Sequence, residues 1–188
     1  MKKPVLFIIA VLVVLFAAWS WKERLLYHYD VWRLAHAVED REIHTYDQRI
    51  RSLVGKTGTS CFVATYNDTG KPNRVRRAAA TALIHADVAL AETVFAQHLD
   101  STNPDVSGMA IRDLGTIRST RYRDRILQYG KSGNEIVRWS VVDYLGHFHD
   151  AGSVGLLRSI RSNDRSAMIR NAAAACLKRL SGQAGKEM

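Results

Sequence analysis

The chain is short of the residues that fix a fold covalently or break its helices. Its 188 residues hold only two cysteines, Cys61 and Cys176, and three prolines, Pro4, Pro72 and Pro104. Two cysteines cannot make a disulfide framework, and neither has a partner at zinc-ligand spacing. Both sit in apolar helical patterns and read as free, buried thiols. Pro72 and Pro104 lie in loops ahead of apolar runs, where a helix accepts proline in its first turn. Catalytic signatures are missing as well: no Ser-His-Asp or Cys-His arrangement can be assembled. Gly55-Lys56-Thr57-Gly58-Thr59-Ser60 contains the Gly-Lys-Thr tripeptide of a phosphate-binding loop. It has neither the upstream glycine nor the preceding strand of such a loop, and reads as a turn.

What is present is a repeat. Val75, Ala79, Leu83 and Ala86 form an apolar set with steps of four, four and three. The same set recurs at Val106, Ala110, Leu114 and Ile117, then at Val137, Val141, Leu145 and Phe148. It appears a fourth time at Ile169, Ala173, Leu177 and Leu180. These steps trace one stripe of an α-helix. The copies stand 31, 31 and 32 residues apart. A fixed pitch of this size indicates stacked helical hairpins, none of which buries its apolar face alone. Second helices are expected at about 88–99, 121–130 and 151–162, aligned at Phe95, Ile126 and Leu157. Asn103, Asn134, and Asp164 or Ser166 can cap the first helices. Asp87, Ser119 or Thr120, and Asp150 can cap the second ones. The predicted fold class is all-α, an α-solenoid of about four hairpins.

The motif Val-Arg-x-x-Ala-x-x-x-Leu stands as Val75-Arg76, Ala79, Leu83, with counterparts from Val137-Arg138 and Ile169-Arg170. It resembles the HEAT repeat, particularly the short variety of phycobilisome-lyase-like proteins, over about 73–181. The resemblance implies an arginine that meets an aspartate in its own preceding turn. Asp164 fits for Arg170, whereas Gly70 and Ser132 hold that place in copies one and three, and Ser107 replaces the arginine in copy two. The resemblance also implies a binding surface, because this architecture mostly hosts adaptors and inhibitors and only a few enzymes.

Ahead of the repeats, Val5 to Ala18 contains no polar residue. Lys2 and Lys3 precede this run, and Trp19 and Trp21 follow it where an interfacial aromatic belt would lie. About 18 apolar residues reach the lower edge of a membrane span. A cleaved secretory signal is the alternative, but Ala18-Trp19-Ser20 is a poor cleavage site. The expected organisation is a signal-anchor at 1–21, a connecting helix or degenerate first repeat at 22–58, the repeat domain at 59–181 and a flexible tail at 182–188. Just after the Gly-Lys-Thr turn, Ser60 to Tyr66 is expected to be the second helix of this leading unit, capped by Ser60. The expected location is a bacterial inner membrane, crossed once, with the repeats in the periplasm.

The net charge is +9, and +7 once residues 1–21 are set aside. Such a surface favours acidic partners. Arg118, Arg121, Arg123 and Arg125 surround one turn, and Arg158, Arg161 and Arg165 follow about one period later, a candidate basic ridge. Arginine forks suit carboxylates and phosphates. The alternative is a set of solvated helix ends paired locally with Asp124 and Asp164. Copy four has no second helix, so its alanine-rich face, with Ala172, Ala175 and Cys176, is a candidate interface for a partner or a second copy. The seven histidines offer no metal site: none precedes a glutamate, and His85 and His147 sit two repeats, roughly 20 Å, apart. His147-Phe148-His149-Asp150 reads as a helix cap. The expected function is binding of another protein as an adaptor or accessory subunit of a cell-envelope complex, without a cofactor or an enzymatic step. The alternatives are a basic surface for anionic lipid or nucleic acid, and a HEAT-type lyase or hydroxylase-like enzyme.

Overall fold

The computed structural model describes residues 21–37, 45–46, 48–50, 52–53, 58–148 and 150–184. The apolar run at 5–18, residues 55–57 of the Gly-Lys-Thr turn, His149 and residues 185–188 lie outside the described residues. Among the described residues there is no strand, and no helix is long and apolar enough to cross a membrane. The chain divides into two compact units between Val88 and Ala89.

In the first unit, residues 21–36 form helix α1. Its inner face buries Tyr27, Asp30, Val31 and Leu34, the i, i+3, i+4, i+7 pattern of an amphipathic helix. The Tyr27 ring meets Phe62 edge-on at 5.2 Å. Its hydroxyl oxygen lies 2.5 Å from Thr65 Oγ1, with which it shares a hydrogen bond, and 3.2 Å from the Cys61 carbonyl oxygen. Burial pushes this phenol up to about 12. Phe62, Cys61 and Thr65 belong to α2, Thr59–Asn67. Gly58, at φ 74°, stands before that helix, so Ser60 lies inside it and is not the expected cap.

Helix α3, Asn73–Ala86, packs on α2 and carries the first apolar stripe. Arg74 reaches back from its first turn to close the end of α1. Its Nε donates to the Leu34 carbonyl at 2.8 Å and its terminal nitrogen to the Ala35 carbonyl at 2.5 Å. These are final-turn carbonyls that have no partner within the helix itself. Val75, Ala79 and Leu83 are fully buried, whereas Ala86, at the helix end, is exposed.

The second unit begins at the second residue of α4 (Val88–Ala96) and holds α5 (Pro104–Thr116), α6 (Arg123–Gln128), α7 (Glu135–Leu145), α8 (Ala151–Asn163) and α9 (Ala167–Ala184). First helices stack in order, α5 on α7 and α7 on α9, while α8 packs on α9. The three aligned positions Phe95, Ile126 and Leu157 are all completely buried. Asn103, Asn134 and Asp150 cap α5, α7 and α8 with their side chains, as their positions indicate.

Four local expectations fail for physical reasons. The helix expected over 121–130 shrinks to α6 followed by a 3₁₀ turn, Tyr129–Lys131. Neither Ser119 nor Thr120 caps α6: Tyr122 precedes it, and the Ser119 hydroxyl instead donates to Glu92 at 2.5 Å. Phe148 is buried from the turn beyond α7, not from the helix itself. Helix α9 continues past residue 181 to Ala184. The Ser181 hydroxyl donates to the Lys178 carbonyl at 2.9 Å, and a glycine such as Gly182 weakens a helix by only about 1 kcal/mol.

Two glycines let α5 and α7 approach closely. A Cβ on Gly115 would stand 3.0 Å from the Tyr144 Cα, and one on Gly108 would stand 2.8 Å from Ser140 Oγ. Gly155, on α8, has nothing within 4 Å of such a Cβ. Gly115→Ala is therefore expected to destabilise the protein by about 1–3 kcal/mol in urea unfolding, because backbone must move. Gly155→Ala should have the opposite sign, stabilising by about 0.5–1 kcal/mol through helix propensity alone.

Candidate interaction site

Nine arginines of the second unit divide into two populations. One population is committed to the frame. Arg138 lies in the first turn of α7 and is only 6% exposed. Its guanidinium donates to the Ser132 and Gly133 carbonyls of its own turn at 2.9 and 3.2 Å. It also forks onto Asp164, ahead of α9, at 3.1 and 3.2 Å. Arg170, one repeat later, donates to the Asp164 carbonyl at 2.7 Å. The expected pairing of Arg170 with the Asp164 carboxylate is therefore corrected. The arginine takes the backbone carbonyl six residues before it, which any side chain at that place supplies. The carboxylate is left to serve the preceding repeat.

Three members of the supposed ridge are committed in the same way. Arg123 contacts both carboxylate oxygens of Asp150 at 3.1 and 3.2 Å and donates to Ser153 Oγ at 2.7 Å. Its charge also lies over the Phe148 ring, 5.0 Å from the centroid. Arg125 pairs with Asp100, which also accepts from the Tyr129 hydroxyl. Arg165 donates to the Gly133 carbonyl at 2.6 Å. The local partners are thus Asp150 and Asp100 rather than Asp124, while Asp164 belongs to Arg138. These opposite charges stand 25 to 27 residues apart, a little under one period, a spacing that does not by itself say which side chains meet.

These contacts set the carboxylates' protonation. The Ser153 backbone N–H first, then the Ser153 hydroxyl and Arg123, hold Asp150 down at about 2 against a smaller effect of burial. Burial alone would raise Asp164, but Arg138, the Ser166 N–H and Arg165 outweigh it and leave it below the usual carboxylate range. The Tyr129 hydroxyl and Arg125 likewise hold Asp100 low.

The other population is Arg118, Arg121, Arg158 and Arg161. All four are exposed, and none has a carboxylate partner among the described residues. Arg121 stacks on Tyr122 at 5.4 Å. Arg158 and Arg161 lie along α8, whose first turn Arg123 ties to the start of α6. Arg118 has an unusual backbone, with φ 51°. It occupies the left-handed position of a helix C-terminal motif. Its N–H meets the Gly115 carbonyl at 2.8 Å, and the next N–H, of Ser119, meets the Leu114 carbonyl at 2.9 Å. Glycine fills that position without penalty, whereas a side chain there costs about 1 kcal/mol or more.

The supposed end face of α9 is partly redirected. Cys176 is half-buried and faces α7: its Sγ lies 3.9 Å from the Val142 carbonyl, and a Cβ on Gly146 would stand 3.0 Å from it. Burial raises this thiol. Ala172 is half-buried, and only Ala175 of the three is exposed, on a side it shares with Met168, Asn171 and Lys178. Cys61 is also half-buried, so neither thiol is fully buried as expected. His147, held below its ordinary value chiefly by burial, lies 4.0 Å from Asp143. Asp150, expected within a capping cluster, caps α8 through the Ser153 N–H at 2.9 Å. Among the described residues no group of three or more His, Cys, Asp or Glu is arranged to hold a metal ion.

Residues 91–178 match the family described as HEAT repeats. That span covers the second unit from α4 into α9. No curated protein matches the chain.

Asp164→Ala should cost about 3 kcal/mol in urea unfolding, because it strands a buried guanidinium. Asp100→Ala, at an exposed pair, should cost under about 1 kcal/mol. The depressed carboxylates fix the pH dependence. The stabilisation from Asp150 is complete above the ordinary carboxylate value, near 3.8, and is lost as pH falls toward about 2, and that from Asp164 is lost on the same acid side. Thermal unfolding between pH 5 and pH 2 should show this loss in the wild type and a smaller one in Asp150→Asn.

Proposed function

We propose that this chain is a membrane-tethered HEAT-repeat protein that binds another protein, as an adaptor or accessory subunit of a cell-envelope complex. HEAT repeats in general mediate contacts between proteins, and stacked repeats present extended binding surfaces. The observation that carries the reading is the division of the arginines. The frame uses Arg123, Arg125, Arg138, Arg165 and Arg170. It leaves Arg118, Arg121, Arg158 and Arg161 exposed on two repeats tied together by Arg123. Arg118 is kept in a conformation that costs stability, which favours a use for its side chain. The partner surface is acidic, and no catalytic step or cofactor is invoked.

The apolar run at residues 5–18 with its flanking lysines and tryptophans supports a single-pass tether in a bacterial inner membrane. The short basic start, which resembles an export signal, supports a periplasmic repeat domain. A second reading follows from the same four arginines, whose forks suit phosphates as well as carboxylates: anionic lipid or nucleic acid.

Reversing the charge of Arg118, Arg121, Arg158 and Arg161 to Glu should abolish capture of the wild-type partner from detergent-solubilised membranes. Stability should change by no more than about 0.5 kcal/mol per site, as for surface substitutions. The captured complex should weaken with salt. Equal capture by both forms contradicts the reading. Loss of nucleic-acid binding without any protein partner favours the second one.

A further inference from the structure

The exposed side of α1 has a composition that the repeat surface does not share. Trp21, Leu25, Tyr29 and Trp32 are 58%, 64%, 51% and 55% exposed. At 3.6 residues per turn these four fall within an arc of about 80° and form one continuous stripe along the helix. Of the charges exposed near it, Lys22 falls about 20° beyond one end of the arc and Arg24 about 60° beyond the other, with His36 inside it and His28 about 20° outside. The Arg24 guanidinium lies 5.9 Å from the Trp21 ring centroid, and His36 stacks on Trp32 at 4.8 Å. The helix's two acids are turned the other way: Asp30 is buried at 2% exposure and Glu23 is half-buried. The face is thus aromatic, apolar and basic, with no exposed carboxylate. It begins three residues after the apolar run ends at Ala18.

We infer that α1 lies along the surface of an anionic lipid bilayer, with Trp21, Leu25, Tyr29 and Trp32 at the boundary between headgroups and acyl chains. This rests on the tethered part of the proposed function, which brings α1 to the membrane. Tryptophan and tyrosine join an apolar ring to a polar handle and favour this boundary, into which an amphipathic helix sinks by roughly 5–10 Å. Lys22 and Arg24 then meet lipid phosphates, each adding about 1 kcal/mol near an anionic surface. A second copy is the poorer occupant. Pairing two such faces would oppose Lys22 and Arg24 with their equivalents, and neither face offers a carboxylate to offset them.

The test uses the full chain with Trp19→Phe, Trp21→Phe and Trp139→Phe, leaving Trp32 as the sole fluorophore. The protein is reconstituted into phosphatidylglycerol–phosphatidylcholine vesicles, and flotation reports tethering independently. Trp32 emission should shift to the blue and be quenched several-fold by lipids brominated near the headgroup end of the chain. Quenching should be weaker in pure phosphatidylcholine, and Lys22→Glu with Arg24→Glu should remove that difference. A chain that floats while Trp32 keeps an aqueous emission and escapes bromine overturns the inference and leaves the tether intact. Shielding of Trp32 from acrylamide without bromine quenching overturns it in favour of a protein contact. Equal quenching in neutral vesicles overturns the anionic requirement. A chain that does not float removes the tether and the inference together.

Discussion

A buried guanidinium carries five N–H groups and forfeits several kcal/mol if they go unpaired, and Arg138 pairs four of them by joining two repeats. Its own turn supplies the Ser132 and Gly133 carbonyls, and the next repeat supplies the Asp164 carboxylate. Asp164 in turn accepts the Ser166 N–H at 2.8 Å and gives its carbonyl to Arg170. One side chain therefore fixes the loop before α7 against the loop before α9. Glycine contacts keep α5 and α7 close, and the Tyr144 hydroxyl ties α7 to the Ser119 carbonyl at 2.6 Å. Stacked hairpins bury only one face each, so register between neighbours has to come from such cross-repeat contacts.

The surface chemistry follows from this frame. Arg123, Arg125 and Arg138, which link repeats through carboxylates, are neutralised locally and contribute little field outward. Arg118, Arg121, Arg158 and Arg161 add guanidinium charge without a carboxylate partner to the exposed surface of the second unit, beside Lys131 and Lys178. In the first unit the polarity is arranged differently. Arg74 closes the end of α1, Asp30 turns inward to meet Arg49 at 3.1 Å, and the outer side keeps aromatic rings and cations. The two units thus offer two chemistries, a cationic repeat surface and an amphipathic helix next to an apolar segment.

The repeat was legible because its period is strict and its apolar steps match helical geometry. Phe95, Ile126 and Leu157 could be aligned by counting, and all three are core. Caps at Asn103, Asn134 and Asp150 were legible because a short polar side chain before an apolar run has one dominant use. The fate of the arginines was not legible. Counting shows that Arg123 and Arg158 are both basic and a period apart. It does not show that Asp150 stands beside Arg123, since that depends on how one hairpin settles on the next. The left-handed Arg118 was hidden for the same reason: only glycine announces that conformation in a sequence. Cys176 was misplaced by being grouped with Ala172 and Ala175, although it stands seven residues after Ile169, on the buried stripe of that helix.

The most direct measurement is a double-mutant cycle between Arg138 and Asp164, using Arg138→Met and Asp164→Asn, read by urea unfolding. If that pair sets the register of α7 and α9, the two changes should couple by about 1 kcal/mol or more, within the range seen for contacting residues. Additive losses, with no coupling, would contradict the arrangement of the repeats described here.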